Sequence, residues 1–177
     1  MDCTDGATPL SGRTGGPTRT AATATLATTP DPTVTPGRPW SPPASPSSSP
    51  GHDDVTVGPL TLEGLRGLVG GDQNAHAVHN ADGWHYLIGA SVRDGGAVTV
   101  TIGAELRARA GLEFGGNQGM APAPSVTFYA CPDAATSYLG AFFVAGDGRA
   151  CVPLDIRVGD GAPQRVVISF FRGECPA

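Results

Sequence analysis

Lysine is absent from this sequence, so all 11 basic residues are arginine, against 16 acidic residues and a net charge of −5. A surface that binds nucleic-acid phosphates or anionic lipid needs clustered cationic side chains. The charge balance therefore argues against a nucleic-acid partner and against electrostatic attachment to a membrane surface.

Motifs of common enzyme classes are also missing. No serine stands in a Gly-x-Ser-x-Gly motif, no Cys-x-x-Cys pair is present, and no strand–glycine–helix unit of the kind that cradles phosphate can be recognised. No apolar run long enough for a signal peptide or a membrane span precedes Cys3. The sequence thus identifies no cofactor and no catalytic residue.

Glycine and proline are abundant instead, with 26 and 17 residues. The composition differs between two parts of the chain. Residues 1–53 are rich in Thr, Pro, Ser, Gly and Ala and contain very few large apolar residues, so they cannot offset the entropy cost of ordering. We predict a disordered tail or stalk there, with Pro39–Pro50 as an extended spacer. Residues 54–177 are long enough for one domain with one core.

Alternation of apolar and polar residues predicts the fold of that domain. Trp84 to Val92 and Tyr138 to Val144 are expected to be long strands, the second of them central because it is apolar on both faces. Leu65–Val69 predicts a single helical turn, and Gly70–Gly83 predicts a loop. About eight short strands separated by glycine turns indicate an all-β domain, a single antiparallel β-sandwich, immunoglobulin-like or related.

Two hairpins follow from the same alternation. A three-residue loop, Asp94–Gly96, would keep the apolar faces together by pairing Val92 with Val98. At the C-terminus, the expected cross-strand pairs are Val158 with Val166, Ile156 with Ile168, and Leu154 with Phe170.

Four cysteines are present: Cys131, Cys151 and Cys175 in the predicted domain and Cys3 in the tail. The three domain cysteines allow one bridge at a time, which leaves one thiol over unless Cys3 is its partner. Cys151–Cys175 would close the C-terminal hairpin, although the predicted register places Cys151 opposite Gly173 and so requires a bulge. Cys131–Cys151, Cys131–Cys175 and three buried thiols are the alternatives; positions at strand ends favour a disulfide.

His76, His79 and His85, together with Asp82, offer nitrogen and oxygen ligands for a divalent metal ion. Their spacing does not place two histidines at helical i, i+4 positions, and no glutamate follows at the spacing of a general base. A solvated loop that contains histidines is the alternative. The three residues are candidate metal ligands only.

Several segments carry a family resemblance: Trp84 to Ile102, Val126 to Cys131, Gly140 to Val144, Cys151 to Leu154, and Phe170 to Cys175. In the order of these strand motifs and cysteines, the chain resembles an uncharacterised actinobacterial family of secreted or lipid-anchored proteins with a small β-rich domain after a Pro/Thr/Ser linker. The resemblance implies an extracytoplasmic location and a disulfide-bearing sandwich. It implies no activity.

Cys3, followed by a polar linker and then a domain, has the arrangement of a mature bacterial lipoprotein and is a lipidation candidate. Under this hypothesis the true start lies upstream of Met1, and the protein is extracellular or associated with the cell envelope. We expect a monomeric, non-enzymatic binding or structural module. The alternatives are a metal-binding protein or metal-assisted enzyme that uses the three histidines, and a cytoplasmic β-domain with free thiols.

Overall fold

The structure, a computed structural model, describes residues 51–93, 96–115, 121–132 and 134–176. These residues form ten strands: β1 (Val55–Val57), β2 (Leu60–Leu62), β3 (Ala77–His79), β4 (Gly83–Val92), β5 (Val98–Ile102), β6 (Ala110–Phe114), β7 (Ser125–Phe128), β8 (Thr136–Ala145), β9 (Ala150–Val158) and β10 (Gln164–Phe170). They also form three 3₁₀-helices, Leu65–Val69, Gln73–Ala75 and Ala104–Leu106. Apart from residues 51–53, the predicted tail lies outside the described residues, as does Cys3.

The strands form two antiparallel sheets, so the predicted all-β sandwich is confirmed. A six-stranded sheet has the order β1-β2-β4-β8-β6, with β3 also paired to β4, and a four-stranded sheet has the order β10-β9-β5-β7. The long strands β4 and β8 pair over their whole length, from Gly83 opposite Ala145 to Val92 opposite Thr136. The predicted central position of β8 is therefore correct.

Aromatic side chains join the two sheets. Phe114 of the six-stranded sheet packs edge-on against Phe128 of the four-stranded sheet, with ring centroids 5.1 Å apart. Phe170 lies 4.8 Å from Tyr86 and 5.5 Å from Phe142. All five rings are buried, so the core lies between the sheets and is closed by interdigitating side chains from both inner faces.

The predicted β4–β5 hairpin is wrong. β4 belongs to the six-stranded sheet, whereas β5 pairs with β7 and β9 in the four-stranded sheet. The chain therefore crosses between the sheets here; Asp94 and Gly95 of the predicted loop lie outside the described residues. Alternation identified the buried faces correctly, but a hairpin and a crossover bury the same faces, so the pattern does not distinguish them.

The C-terminal hairpin is present, but its predicted register is wrong by four residues. Val166 lies opposite Leu154 and Phe170 opposite Ala150. Val158 pairs instead with Val98 of β5, so β9 continues beyond its partner β10. Pro163 immediately precedes β10 and has no N–H to extend the ladder. A register shift by an even number of residues leaves every side chain on the same face of the sheet. The alternation pattern alone therefore could not distinguish the two registers.

Two local predictions have different outcomes. Leu65–Val69 does form one helical turn, of the 3₁₀ type, and both Leu65 and Leu68 are buried. Gly70–Gly83 is not simply a loop, because it contains the 3₁₀-helix Gln73–Ala75 and the strand β3, which pairs with the start of β4. Three residues of mixed polarity gave no periodicity from which β3 could be predicted.

Candidate functional site

The outer face of the six-stranded sheet carries exposed apolar side chains at its centre. Because side chains alternate along a strand, the residues of β4 and β8 that do not face the core point outward. Among them, Leu87 is 70% exposed and Leu139 is 72% exposed. These positions lie on the two longest strands of the sheet, which pair with each other along their whole length.

Leu87 and Leu139 are neighbours. Leu87 lies directly opposite Ala141 of β8, and Leu139 is two residues before Ala141 on the same outward face. Such diagonal cross-strand positions are about 7–8 Å apart, within contact range of leucine side chains. Half-buried Phe143 continues the row on β8. We call Leu87, Leu139 and Phe143, which lie on this face around the buried Ala141, the outer-face patch.

A histidine–carboxylate pair borders the patch. His85 Nδ1 lies 2.7 Å from Glu113 Oε2, although β4 and β6 are separated by β8. Ala141 lies opposite Glu113 on that intervening strand, and its small side chain leaves room for the two groups to meet. Both are mostly covered, and the ring of His85 packs 5.3 Å from Phe143. An ionised carboxylate can only accept, so Nδ1 is the donor in this pair, which links β4 to β6 across β8.

His85 Nε2 is the one buried side-chain nitrogen or oxygen without a hydrogen-bond partner among the described residues. A buried polar atom left unpaired destabilises the fold. The orientation of His85 is therefore set by Glu113 and Phe143 rather than by its second nitrogen.

The three candidate metal ligands do not converge. The ring of His76 lies 5.9 Å from Phe171, and the ring of His79 lies 4.6 Å from Trp84. His79 is directly opposite Trp84, while His85 follows Trp84 on β4 and so faces the other side of the sheet. Within the described residues, no group of three or more His, Cys, Asp or Glu side chains could hold a metal ion.

A buried polar network is built on Gln73, in the segment that also contains His76 and His79. The Gln73 side-chain amide donates to Tyr86 Oη at 2.8 Å and to the Asp147 carbonyl at 3.0 Å. The Tyr86 hydroxyl donates to the Gly148 carbonyl at 2.6 Å. A Cβ at Gly148, which has φ +74°, would collide with Gln73 and Trp84. The network therefore joins the Gln73–Ala75 helix, β4 and the β8–β9 turn.

Burial raises the pKa of the Tyr86 hydroxyl above its usual value of 10.0, with Gln73 acting in the opposite direction through its hydrogen bond. Tyr86→Phe should lower the free energy of unfolding at neutral pH by about 1–3 kcal/mol, because Gly148 and Gln73 lose a partner. Above pH 10 the unfolded wild type loses the tyrosine proton before the folded state does, so wild-type stability falls. Urea unfolding from pH 8 to 11 should show that the difference in the free energy of unfolding between wild type and Tyr86→Phe becomes smaller as the pH rises. A difference that stays constant would contradict the raised pKa of Tyr86.

The structure decides between the predicted cysteine pairings. Cys151 and Cys175 form a disulfide with Cα atoms 5.6 Å apart, so one of the predicted pairings is confirmed, and the two that joined Cys131 to either residue are excluded. Cys151 lies opposite Ser169 rather than Gly173. After β10 the chain turns at Phe171 and Gly173, which have φ +50° and +79°, and this return brings Cys175 to Cys151. The Cys131 N–H donates to Thr136 Oγ1 at 2.7 Å.

Comparison of the chain with protein-family models, curated proteins and solved structures found no match. The resemblance noted in the sequence therefore stays a prediction. Among the described residues, no helix is long and apolar enough to span a membrane.

The outer-face patch was not predicted as a site, yet part of its signal was in the sequence. Leu87 is the large apolar residue on the otherwise polar face of β4. β8 is apolar on both faces, so the face that carries Leu139 and Phe143 is apolar as well. The His85–Glu113 pair had no such signal, because 28 residues separate its members and only the sheet order brings them together.

Proposed function

We propose that this protein is a non-enzymatic binding or structural module that works outside the cytoplasm, in contact with a macromolecule of the cell envelope through the outer-face patch. The observation that carries the proposal is the adjacency of Leu87 and Leu139 at the centre of the six-stranded sheet. Single exposed apolar residues are common on protein surfaces, whereas large contiguous apolar patches mark interaction sites. Burying both leucines against a partner would contribute roughly 1.5–3 kcal/mol each.

The proposed location rests on different observations. A disulfide forms and persists mainly in oxidising compartments, and Cys151–Cys175 closes the end of the hairpin that completes the four-stranded sheet. The family resemblance and the Cys3 lipidation hypothesis point the same way. The location outside the cytoplasm, in an extracellular or envelope-associated form, is part of the proposal.

The outer-face patch can be tested by co-sedimentation of the purified protein with cell envelopes isolated from its native host. We expect the wild type to sediment with the envelopes and Leu87→Ser/Leu139→Ser to bind at least about 100-fold more weakly, because the double variant loses roughly 3 kcal/mol or more of apolar contact. Both side chains are already in water, so folding stability should change little.

Tyr129→Ser is the matched control, since Tyr129 is an exposed large residue outside the outer-face patch. It should sediment like the wild type. Failure of the wild type to bind envelopes, or equal binding by the double variant, would refute the patch as the contact surface.

A further inference from the structure

Cys131 lies in the segment that connects the two sheets, after the edge strand β7 and before β8. Hydrogen bonds fix the backbone there. The Cys131 N–H donates to Thr136 Oγ1 at 2.7 Å, and the Tyr138 hydroxyl donates to the Tyr129 carbonyl. Cys131 is only half-buried. This cysteine therefore occupies a defined position that can be reached from the surface of the sandwich.

Cys131 is disulfide-bonded, and no cysteine among the described residues is a free thiol. Its partner is neither Cys151 nor Cys175, because these two residues are bonded to each other. The chain has four cysteines. The remaining cysteine of the same chain is Cys3, which precedes the described residues.

The strand register also places Cys131 far from the Cys151–Cys175 bond. Phe128, at the end of β7, is level with Val158, at the end of β9, because both strands pair with the same part of β5. Cys151 lies at the opposite end of β9, and a rise of about 3.3 Å per residue separates the two ends by roughly 20 Å. Bridging needs Cα atoms within about 7 Å. Cys131 therefore cannot exchange partners with this bond while the sandwich is folded.

The chain before the domain is long enough for Cys3 to reach Cys131. Residues 4–50 separate Cys3 from Gly51, where the described residues begin. An extended chain spans about 3.3–3.6 Å per residue, which gives on the order of 150 Å for this segment. A domain of this size has a radius of gyration of about 14 Å. Every point on its surface is thus within reach of Cys3.

We propose that Cys3 and Cys131 form a second disulfide within one chain. The bond forms by thiol–disulfide exchange with the disulfide of an oxidoreductase in an oxidising compartment. The two cysteine thiols give up two protons and two electrons, and these convert the oxidoreductase disulfide to two thiols. The proline-rich segment then belongs to a covalently closed ring, so it is a loop attached at both ends rather than a stalk.

The second disulfide and lipidation of Cys3 exclude each other, because lipidation converts the same sulfur atom to a thioether. The disulfide keeps the oxidising location of the proposed function, since disulfides persist mainly in such compartments. It does not involve the outer-face patch. With Cys3 tethered to the domain, association with the envelope depends on the patch alone.

Tryptic peptide mapping of the non-reduced, full-length protein from its native host tests the bond, because arginines separate all four cysteines. The peptide that ends at Arg13 contains Cys3, and the other three cysteines lie in residues 110–149, 150–157 and 173–177. After alkylation of free thiols, we expect the Cys3 peptide to be linked to residues 110–149 and to separate from them on reduction. Before digestion, the protein should have the mass of a monomer.

Two single variants provide a second measurement. Cys3→Ser should expose one alkylatable thiol, at Cys131, and Cys131→Ser should expose one at Cys3; both should keep the Cys151–Cys175 bond. Each should lower the melting temperature by no more than about 5 °C, because the bond closes a long loop in the folded state as well as in the unfolded chain. Loss of the other disulfide should cost more.

Three results would overturn the second disulfide. A lipid on Cys3 or an alkylated Cys3 in the wild type would show that its sulfur is not bonded to Cys131. A covalent dimer, or residues 110–149 linked to a second copy of themselves, would show that Cys131 pairs between chains. Each of these results leaves the outer-face patch untouched, whereas unchanged envelope binding by the Leu87→Ser/Leu139→Ser variant refutes the patch and leaves the disulfide.

Discussion

Replacing Phe142 by alanine is expected to lower the free energy of unfolding by about 3–5 kcal/mol, the usual cost of removing a fully buried phenylalanine. Phe142 is 1% exposed and lies on the central strand β8, where its ring is 5.5 Å from Phe170 of the opposite sheet and 6.2 Å from Phe114. The cavity would therefore open at the junction of both sheets. Chemical denaturation measures the change, and the melting temperature should fall by roughly 10–20 °C.

Leu139→Ala is the matched control on the same strand, with a comparable apolar side chain on the opposite face. Because Leu139 is largely in water, its truncation should change stability by no more than about 0.5 kcal/mol. The comparison also bears on the proposed function. If Leu139→Ala cost as much as Phe142→Ala, the outer face would be covered in the isolated protein, and neither the assigned core nor the outer-face patch could be correct.

Alternation along the strand was sufficient to predict the two faces of β4, whereas β8, which is apolar on both faces, was predicted only to be central. Tyr86, Ile88, Ala90 and Val92 are buried in the core as predicted, and the partly buried Trp84 packs against them. Alternation could not identify which strand pairs with β4. Pairing with β8 or with β5 would bury the same face of β4. The structure pairs β4 with β8 through ten consecutive residue pairs, which are seen only in the assembled sheet.

The candidate sites differ in predictability for the same reason. The Cys151–Cys175 bridge was predictable because both residues flank one hairpin, although its geometry depends on a chain reversal at Phe171. The histidines lie close together in sequence, but strand alternation separates His79 from His85. Conversely, His85 and Glu113 are 28 residues apart in the chain and meet across β8, so no local pattern could predict their contact.

Removal of the Cys151–Cys175 disulfide should have an effect of similar size to that of the core substitution. The bond joins residues 24 positions apart, and closing a loop of that length in the unfolded chain stabilises the native state by about 3–4 kcal/mol in the chain-entropy description. Cys151→Ala/Cys175→Ala should therefore lower the melting temperature by roughly 10–15 °C. Each single variant should lose nearly as much as the double variant, since either substitution abolishes the same bond.

The same bond tests the proposed location, because reducing compartments keep most thiols free. Non-reducing peptide mapping of protein isolated from its native host should yield one cross-linked peptide that contains Cys151 and Cys175. Reduced cysteines at both positions in freshly alkylated cells would contradict a location outside the cytoplasm. Additive losses in the two single variants would instead show that the cysteines stabilise the fold as separate side chains.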